Sequence, residues 1–271
     1  MQVAFIVMLA TLGAATGFLA GLLGIGGGML LVPFLTMIFT AQLFPREHVL
    51  HMAVATALTT ILFTALSSVR AHQRRKAVRW DIAAMMAPGA LAGTFFGAQL
   101  AGLLPARRLA LFFAIFIGYS GVNMLRKAQR RVASVGRPLP GKAGLFGAGL
   151  GIGLVSSLVG AGGAFITVPL LSACGVAAVE AVATSAALGI PIAAGGLAGY
   201  ILAGWNVPGL PADTIGYIYW PALVCCAGTS FFTAPFGARA AHALDVQILK
   251  KTFACLLIGL AAYMGWKARM S

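Results

Sequence analysis

No charged side chain occurs among the first 45 residues of the chain, and Arg46 is the first basic one. Over the whole chain 9% of the residues are charged and 60% are hydrophobic, whereas a soluble domain carries about 25% charged residues. Uncharged runs of this length predict helices that cross a bilayer. Barrel strands would alternate apolar and polar residues, but these segments are apolar on all sides. The sequence therefore predicts an all-α polytopic membrane protein with the lipid bilayer as a partner.

Ten apolar segments follow one another along the chain. They cover residues 2–23, 28–44, 49–69, 82–103, 107–125, 143–160, 163–175, 180–203, 216–241 and 247–266. Segments 28–44 and 163–175 are short for a full crossing, which needs about 20 residues. The longest polar stretch, 127–142, contains two prolines. We expect it to be a cytoplasmic linker between an N-terminal repeat (1–126) and a C-terminal repeat (143–271) of one membrane domain with eight to ten segments.

The two halves of the chain carry matching motifs in the same order. The sequence GIGGG at 24–28 matches GAGGA at 160–164, and each is followed at the same distance by Val-Pro, at 32–33 and 168–169. The sequence AVAT at 53–56 recurs at 181–184, and FFGA at 95–98 resembles PFGA at 235–238. These matches predict an internal duplication of about five plus five helices.

The basic residues indicate how the two halves are oriented. Eleven of the 19 lysines and arginines lie in the loops 70–79 and 126–142, and basic loops stay on the cytoplasmic side. Loop 204–215 is the equivalent of loop 70–81 but has no basic residue, so we expect it outside. Equivalent loops on opposite faces require an inverted repeat, with both chain ends outside. Because most of the net charge of +14 belongs to loops, we expect no nucleic-acid partner.

The duplicated glycine clusters interrupt apolar segments at equivalent places, as is typical of secondary transporters. Irregular backbone within a membrane must be buried in protein or line a cavity. We expect each Val-Pro to lie in the first turn of a helix, whose free N–H groups attract an anion. A substrate-binding or gating role is predicted, and close packing is the alternative. The residues are Gly24, Gly26, Gly27, Gly28, Pro33, Gly160, Gly162, Gly163 and Pro169.

Other glycines recur at a spacing of four residues, which predicts close packing between helices. The three series are Gly13, Gly17 and Gly21; Gly89, Gly93 and Gly97; and Gly147 and Gly151. A dinucleotide site is excluded for the glycine clusters because no strand precedes them.

Few polar side chains occur within the apolar segments. Thr56, Thr184 and Ser185 are candidates for substrate contact, or their hydroxyls bond to their own helix. His51 and Glu180 are candidates for a proton relay, with anchoring at the membrane interface as the alternative. The sequence has no metal-ligand spacing and no HExxH, GxSxG or P-loop motif. We therefore expect no catalytic residues, no metal, no cofactor and no enzymatic activity.

These motifs resemble those of the TauE/SafE sulfite-exporter family of bacterial membrane proteins. The resemblance rests on GIGGGMLLVP (24–33), GAGGAFITVPLL (160–171), HMAVATAL (51–58) and AVRWD (77–81), and it extends over nearly the whole chain. It implies an inner-membrane permease for sulfite or a small organosulfur anion. Family members often have Thr-Ser-Leu after AVA; the first half departs from this with Ala57, and the second half keeps Ser185.

The leading hypothesis is a secondary transporter, an exporter, that holds sulfite or a related small anionic sulfur compound near the midplane between the two glycine clusters. An uncoupled, channel-like facilitator is the alternative, because ionisable groups are scarce in the segments. A purely structural membrane protein is the third possibility. The sequence leaves open whether the chain forms a homo-oligomer.

Overall fold

The computed structural model describes residues 3–23, 27–128, 138–240 and 246–270. These residues form ten α-helices and one short hairpin: α1 (Val3–Leu23), α2 (Gly28–Ala41), α3 (Val49–Gln73), α4 (Trp80–Leu103), α5 (Ala106–Ala128), α6 (Lys142–Val159), α7 (Ala164–Ala173), α8 (Ala178–Gly204), β1 (Thr214–Ile215), β2 (Ile218–Tyr219), α9 (Trp220–Ala240) and α10 (Val246–Met270). Two predicted site residues, Gly24 and Gly26, and part of the predicted linker lie outside the described residues.

The helices confirm the all-α, multi-pass architecture. Five of the described segments are long and apolar enough to cross a membrane: Val3–Gly21, Val49–Gln73, Ala106–Arg126, Lys142–Val159 and Ala178–Gly204. Helices α2 and α7 have only 14 and 10 residues, too few for the about 20 that a crossing needs. Helices α4, α9 and α10 have 24, 21 and 25 residues but are not among the five.

Helix α3 forms the centre of the bundle. The most apolar stretch of α3 is 83% buried, whereas the corresponding stretches of the other four candidate spans are 50% buried or less. It packs against its counterpart α8, in the opposite direction. Leu58 of α3 lies against Gly196, and Ala65, further along α3, lies against Gly189, which comes earlier in α8. The fifth helices of the two halves, α5 and α10, pair in the same antiparallel way.

Two further interfaces join the halves in matching fashion. Gly13 of α1 lies against the backbone of Cys226 in α9. Its counterpart in the second half, at the offset that relates the two glycine clusters, is Gly149 of α6, which lies against the backbone of Met86 in α4. Met86 and Cys226 are in turn related by the offset between the FFGA and PFGA motifs. The α1–α9 and α6–α4 contacts are therefore equivalent.

The same correspondence continues one helical turn further along. Gly17 lies against Ser230, and its counterpart Gly153 lies against Ala90. Ala90 and Ser230 are again related by the offset between FFGA and PFGA. In each case the first helix of one half packs in parallel with the fourth helix of the other half. Together with the antiparallel pairs, this arrangement is compatible with the predicted inverted repeat.

The predicted packing role of the spaced glycines is confirmed for two members of the first series and for all three of the second. Gly13 and Gly17 contact α9, and Gly89, Gly93 and Gly97 contact Phe146, Leu150 and Ser157 of α6. The prediction is wrong for Gly147 and Gly151, because a Cβ at either position would have no neighbour within 4 Å. Helix α6 presents Gly149 and Gly153 to α4 instead, so the other two glycines face outward.

These contacts predict opposite outcomes for two neighbouring glycines of α6. Gly149→Leu would force the side chain into the Met86 carbonyl, and overpacking of this kind costs typically about 1–3 kcal/mol. Gly151→Leu would extend into open space, so we expect a melting temperature close to that of the parent. The measurement is thermal unfolding of detergent-purified protein, and equal destabilisation by both substitutions would contradict the interface.

Candidate functional site

The two glycine clusters, which lie far apart in the sequence, meet in the structure. A Cβ on Gly28, at the start of α2, would collide with the carbonyl oxygen of Gly160, at the end of α6, and would lie 2.7 Å from Cδ1 of Ile61. A Cβ on Gly162 would lie 3.3 Å from Cγ2 of the same isoleucine. Ile61 is halfway along α3. The breaks from the two halves therefore touch each other at the middle of the central helix.

The second break requires glycine for its backbone conformation as well. Gly160 has φ +66° and Gly163 has φ +75°, values in the left-handed region that side chains with a Cβ disfavour. Gly160 ends α6 and Gly163 is the N-cap of α7. Gly27, the N-cap of α2, has a right-handed conformation instead. The two breaks are thus equivalent in position but not in detailed geometry.

Both short helices begin at the breaks without a side-chain cap. Neither Gly27 nor Gly163 makes a side-chain capping bond, and the first N–H groups of a helix have no partner within it. The first intrahelical bonds at each break go from the third and fourth residues after the N-cap to the carbonyl of that N-cap. Each helix therefore starts with N–H groups directed at the region where the breaks meet, which is an arrangement that favours an anion.

The two prolines lie one turn later than the sequence analysis expected. Pro33 and Pro169 are each the sixth residue of their helix, not part of its first turn. The helices begin immediately after Gly27 and Gly163, which shifts the prolines inward. A proline in this place has no N–H for the carbonyl four residues earlier. The carbonyls of Met29 and Phe165 consequently lack their usual helical donor.

Two hydroxyls beside the second break were missed by the sequence analysis. Ser156 is in the last turn of α6 and Thr167 is in the first turn of α7, with exposed fractions of 2% and 0%. Neither Oγ of Ser156 nor Oγ1 of Thr167 has a hydrogen-bond partner. The Ser156 oxygen lies 3.3 Å from where a Cβ of Gly163 would be. A buried polar group without a partner costs about 1–3 kcal/mol.

These two hydroxyls differ from most other buried ones in the described chain. Thr36, Thr59, Thr64, Thr94 and Ser230 each donate to a carbonyl three or four residues earlier in their own helix. Own-helix bonding is the ordinary state of a helical hydroxyl in an apolar setting. Since Ser156 and Thr167 do not use it, their donors remain available at the break.

The duplication contains a signal that would have found them. At the offset that relates the two glycine clusters, the counterparts of Ser156 and Thr167 are Ala20 and Leu31. One half thus has two hydroxyls within four residues of its glycine cluster where the other half has two apolar side chains. A small cavity of about 10 Å³ lies next to the first break, between Ala20, Gly27 and Phe165, with room for at most one water molecule.

Thr56 and Thr184 each accept a hydrogen bond from the other half of the chain. Thr56 Oγ1 accepts the N–H of Tyr219 at 3.1 Å, just before α9. Thr184 Oγ1 accepts the N–H of Arg79 at 3.1 Å, just before α4. The threonines occupy the same place in the two AVAT motifs, and Arg79 and Tyr219 are related by the offset between FFGA and PFGA. These bonds are therefore equivalent, and each ties one half to the other, at opposite ends of α3 and α8.

The third hydroxyl candidate is also occupied within the protein. Ser185 donates to the carbonyl of Val182 in its own helix. This is the local bonding that the sequence analysis gave as the alternative to substrate contact.

The two candidates for a proton relay are also far apart. His51 is buried near the start of α3, where Nε2 is 3.1 and 3.0 Å from the carbonyl oxygens of Ala101 and Leu104. Since carbonyls only accept, Nε2 carries the proton and binds the end of α4. Glu180 lies at the other end of the bundle, 3.7 Å from Arg79. Helix α3, with 25 residues, separates them by roughly 35 Å at 1.5 Å per residue.

An aromatic side chain covers the His51 end of the bundle. Tyr217, in the turn between β1 and β2, stacks on His51 with ring centroids 5.2 Å apart. Its backbone N–H donates to the carbonyl of Tyr200 in α8. Burial raises the pKa of the Tyr217 phenol, so the phenol stays protonated at neutral pH. Among the described residues, no group of three His, Cys, Asp or Glu side chains could hold a metal ion.

The threonine bonds between the halves predict equal losses at the two ends of the bundle. Thr56→Val and Thr184→Val each leave a backbone N–H without its acceptor, at a cost of about 1 kcal/mol. Thr59→Val is the matched control, because the Thr59 hydroxyl bonds only to its own helix. This substitution should lower the free energy of unfolding by less than the other two. The measurement is the unfolding of the three variants in one detergent. A loss of stability in Thr59→Val as large as in the other two variants would contradict the bonds between the halves.

Comparison with known proteins gives a consistent result. A family model described as sulfite exporter TauE/SafE matches residues 9–264. A "probable membrane transporter protein" of Haemophilus influenzae is 35% identical over 263 residues, which cover 96% of this chain and 98% of the relative. No solved structure matches the chain.

Two more distant relatives carry the same description. A probable membrane transporter protein of Methanocaldococcus jannaschii is 25% identical over 260 residues, covering 95% of this chain and 93% of its own. The probable membrane transporter protein YdhB of Bacillus subtilis is 29% identical over 198 residues, covering 70% and 76%. The similarity therefore reaches from bacteria to an archaeon and includes both halves of the chain.

Proposed function

Since the chain belongs to the sulfite exporter TauE/SafE family, we propose that this multi-pass membrane protein exports sulfite or a related small organosulfur anion by alternating access. The proposal places it in the bacterial inner membrane and includes no catalytic step, metal or cofactor. The observation that carries it is the contact between Gly28 and Gly160 beside Ile61. Two helix breaks from oppositely directed halves meet there, at the middle of the bundle.

The chemistry of the breaks suits a small anion. Helices α2 and α7 both start there without a side-chain cap, so their first N–H groups and the positive ends of their dipoles are available to a negative charge. No arginine or lysine is needed for such a site, in accord with the scarcity of charged residues in the apolar segments. In this mechanism Gly162 and its neighbours allow the substrate to approach the backbone.

The arrangement of the halves supports alternating access. The equivalent bonds of Thr56 to Tyr219 and of Thr184 to Arg79 close the two ends of the bundle in the same way. Rocking one half against the other would lengthen one bond while keeping the other. The site between the breaks would then open first to one face and then to the other.

Binding of the anion is the first test. A ligand at 100 times its Kd stabilises a protein by about 2.7 kcal/mol, so sulfite should raise the melting temperature of the purified protein, and chloride should do so less. Gly162→Ala adds a methyl group 3.3 Å from Ile61. We expect this variant to fold but to bind sulfite about tenfold more weakly than the parent. Gly151→Ala, in open space, is the control. Absence of stabilisation by sulfite, thiosulfate, sulfoacetate and taurine would count against the proposal.

An uncoupled facilitator is the second candidate, and one observation favours it. His51 is bound to the end of α4 and Glu180 to Arg79 at the opposite end, so these two candidates for a proton relay are not in contact. In proteoliposomes, a carrier should show saturable sulfite flux that unlabelled sulfite on the opposite side accelerates. A flux that rises linearly with concentration and shows no such exchange would favour the facilitator instead.

A further inference from the structure

The two halves of the site are chemically unequal. Beside the second break, Ser156 and Thr167 offer hydroxyl donors that bind nothing within the described protein. Beside the first break, the equivalent positions are Ala20 and Leu31, which offer no donor. A symmetric site would present the same groups from both halves. The two breaks therefore differ in their side-chain donors as well as in their backbone conformation.

A packing role does not account for the two hydroxyls. Serine and threonine in apolar helices satisfy themselves by donating to their own helix, as Ser157 does to the carbonyl of Leu154 at 2.7 Å. Ser156 and Thr167 forgo that bond although they are among the most buried polar residues of the described chain, at 2% and 0% exposure. If burial alone were required, alanine and valine would fill the same space without an unpaired polar atom.

The two hydroxyls also lie at the uncapped start of α7. Ser156 Oγ is 3.3 Å from the position of a Cβ on Gly163, the N-cap of that helix, and Thr167 is in its first turn. Ser156, Thr167 and the first N–H groups of α7 therefore all lie within about one helical turn of the same break. Several neutral donors beside one break are suited to an anion with more than one oxygen acceptor, because each oxygen can receive its own hydrogen bond.

We propose that Ser156 and Thr167 donate hydrogen bonds directly to the transported oxyanion, so that the second break supplies the side-chain donors of the site and the first break supplies none. The inference rests on the proposed anion transport. The ligand class is a small oxyanion with at least two terminal oxygens, such as sulfite. In the closed conformation without substrate, the two hydroxyls remain unpaired.

The experiment measures sulfite binding to full-length protein in detergent, under nitrogen, from the shift in melting temperature against sulfite concentration. The variants are Ser156→Ala, Thr167→Val and Thr167→Ser, with Ser157→Ala and Thr36→Val as matched controls whose hydroxyls bond to their own helices. We expect Ser156→Ala and Thr167→Val to raise the Kd for sulfite at least tenfold. Thr167→Ser and both controls should stay within about threefold of the parent.

A second readout separates binding from folding. Without sulfite, Ser156→Ala and Thr167→Val should melt at the parent temperature or above it, because an unpaired buried polar atom has been removed. Lower melting temperatures with an unchanged Kd for sulfite would overturn the inference and assign the hydroxyls to the fold. If the parent binds sulfite and every variant binds it with the same Kd, the inference fails while the proposed transport stands. If the parent binds none of the sulfur anions, the proposed transport itself fails.

Discussion

The close contact of Gly28 with Gly160 is the constraint on which the arrangement of the bundle depends. The backbone of one break lies where a side chain of the other would have to be, and this approach is open only to glycine. Because irregular backbone is tolerated in a membrane only when it is buried in protein or lines a cavity, each break needs the other half as its cover. The helices α3 and α8 then provide the enclosing wall, with Ile61 at the centre.

The interfaces between the halves follow from the same need. The first helix of each half packs in parallel on the fourth helix of the other, through glycines at matching positions such as Gly13 and Gly149. Without a strong hydrophobic driving force between helices in lipid, close approach at small residues and hydrogen bonds between helices are what hold them together. The bonds accepted by Thr56 and Thr184 add a matched pair of such hydrogen bonds at the two ends. The halves are therefore interleaved rather than merely adjacent.

A site whose donors are unpaired when empty favours binding of a ligand, because an empty site leaves those donors buried without partners. Ser156 and Thr167 are buried without partners, which is unfavourable for stability but leaves donors ready for a ligand. Departures from polar satisfaction of this kind are expected at functional sites. The cavity next to the first break holds at most one water molecule, so the proposed mechanism requires the halves to separate before a substrate enters. In the proposed mechanism, the unpaired hydroxyls and the closed packing are features of the same substrate-free state.

The class of protein and the approximate positions of the ten helices could be predicted from the sequence, because uncharged apolar runs are local signals. The repeated motifs predicted an internal duplication, with which the paired interfaces are compatible. The sequence also indicated the two breaks, since four glycines among the five residues 24–28 cannot continue a helix without penalty. The packing of the helices was needed to show that the breaks touch and that Gly149, not Gly147, faces α4. It was also needed to show that Thr56 and Thr184 bond across the halves. The lack of partners for the hydroxyls of Ser156 and Thr167 is likewise a result of the packing. These features depend on which face each helix presents and on which partner lies opposite, and spacing along one chain does not specify either.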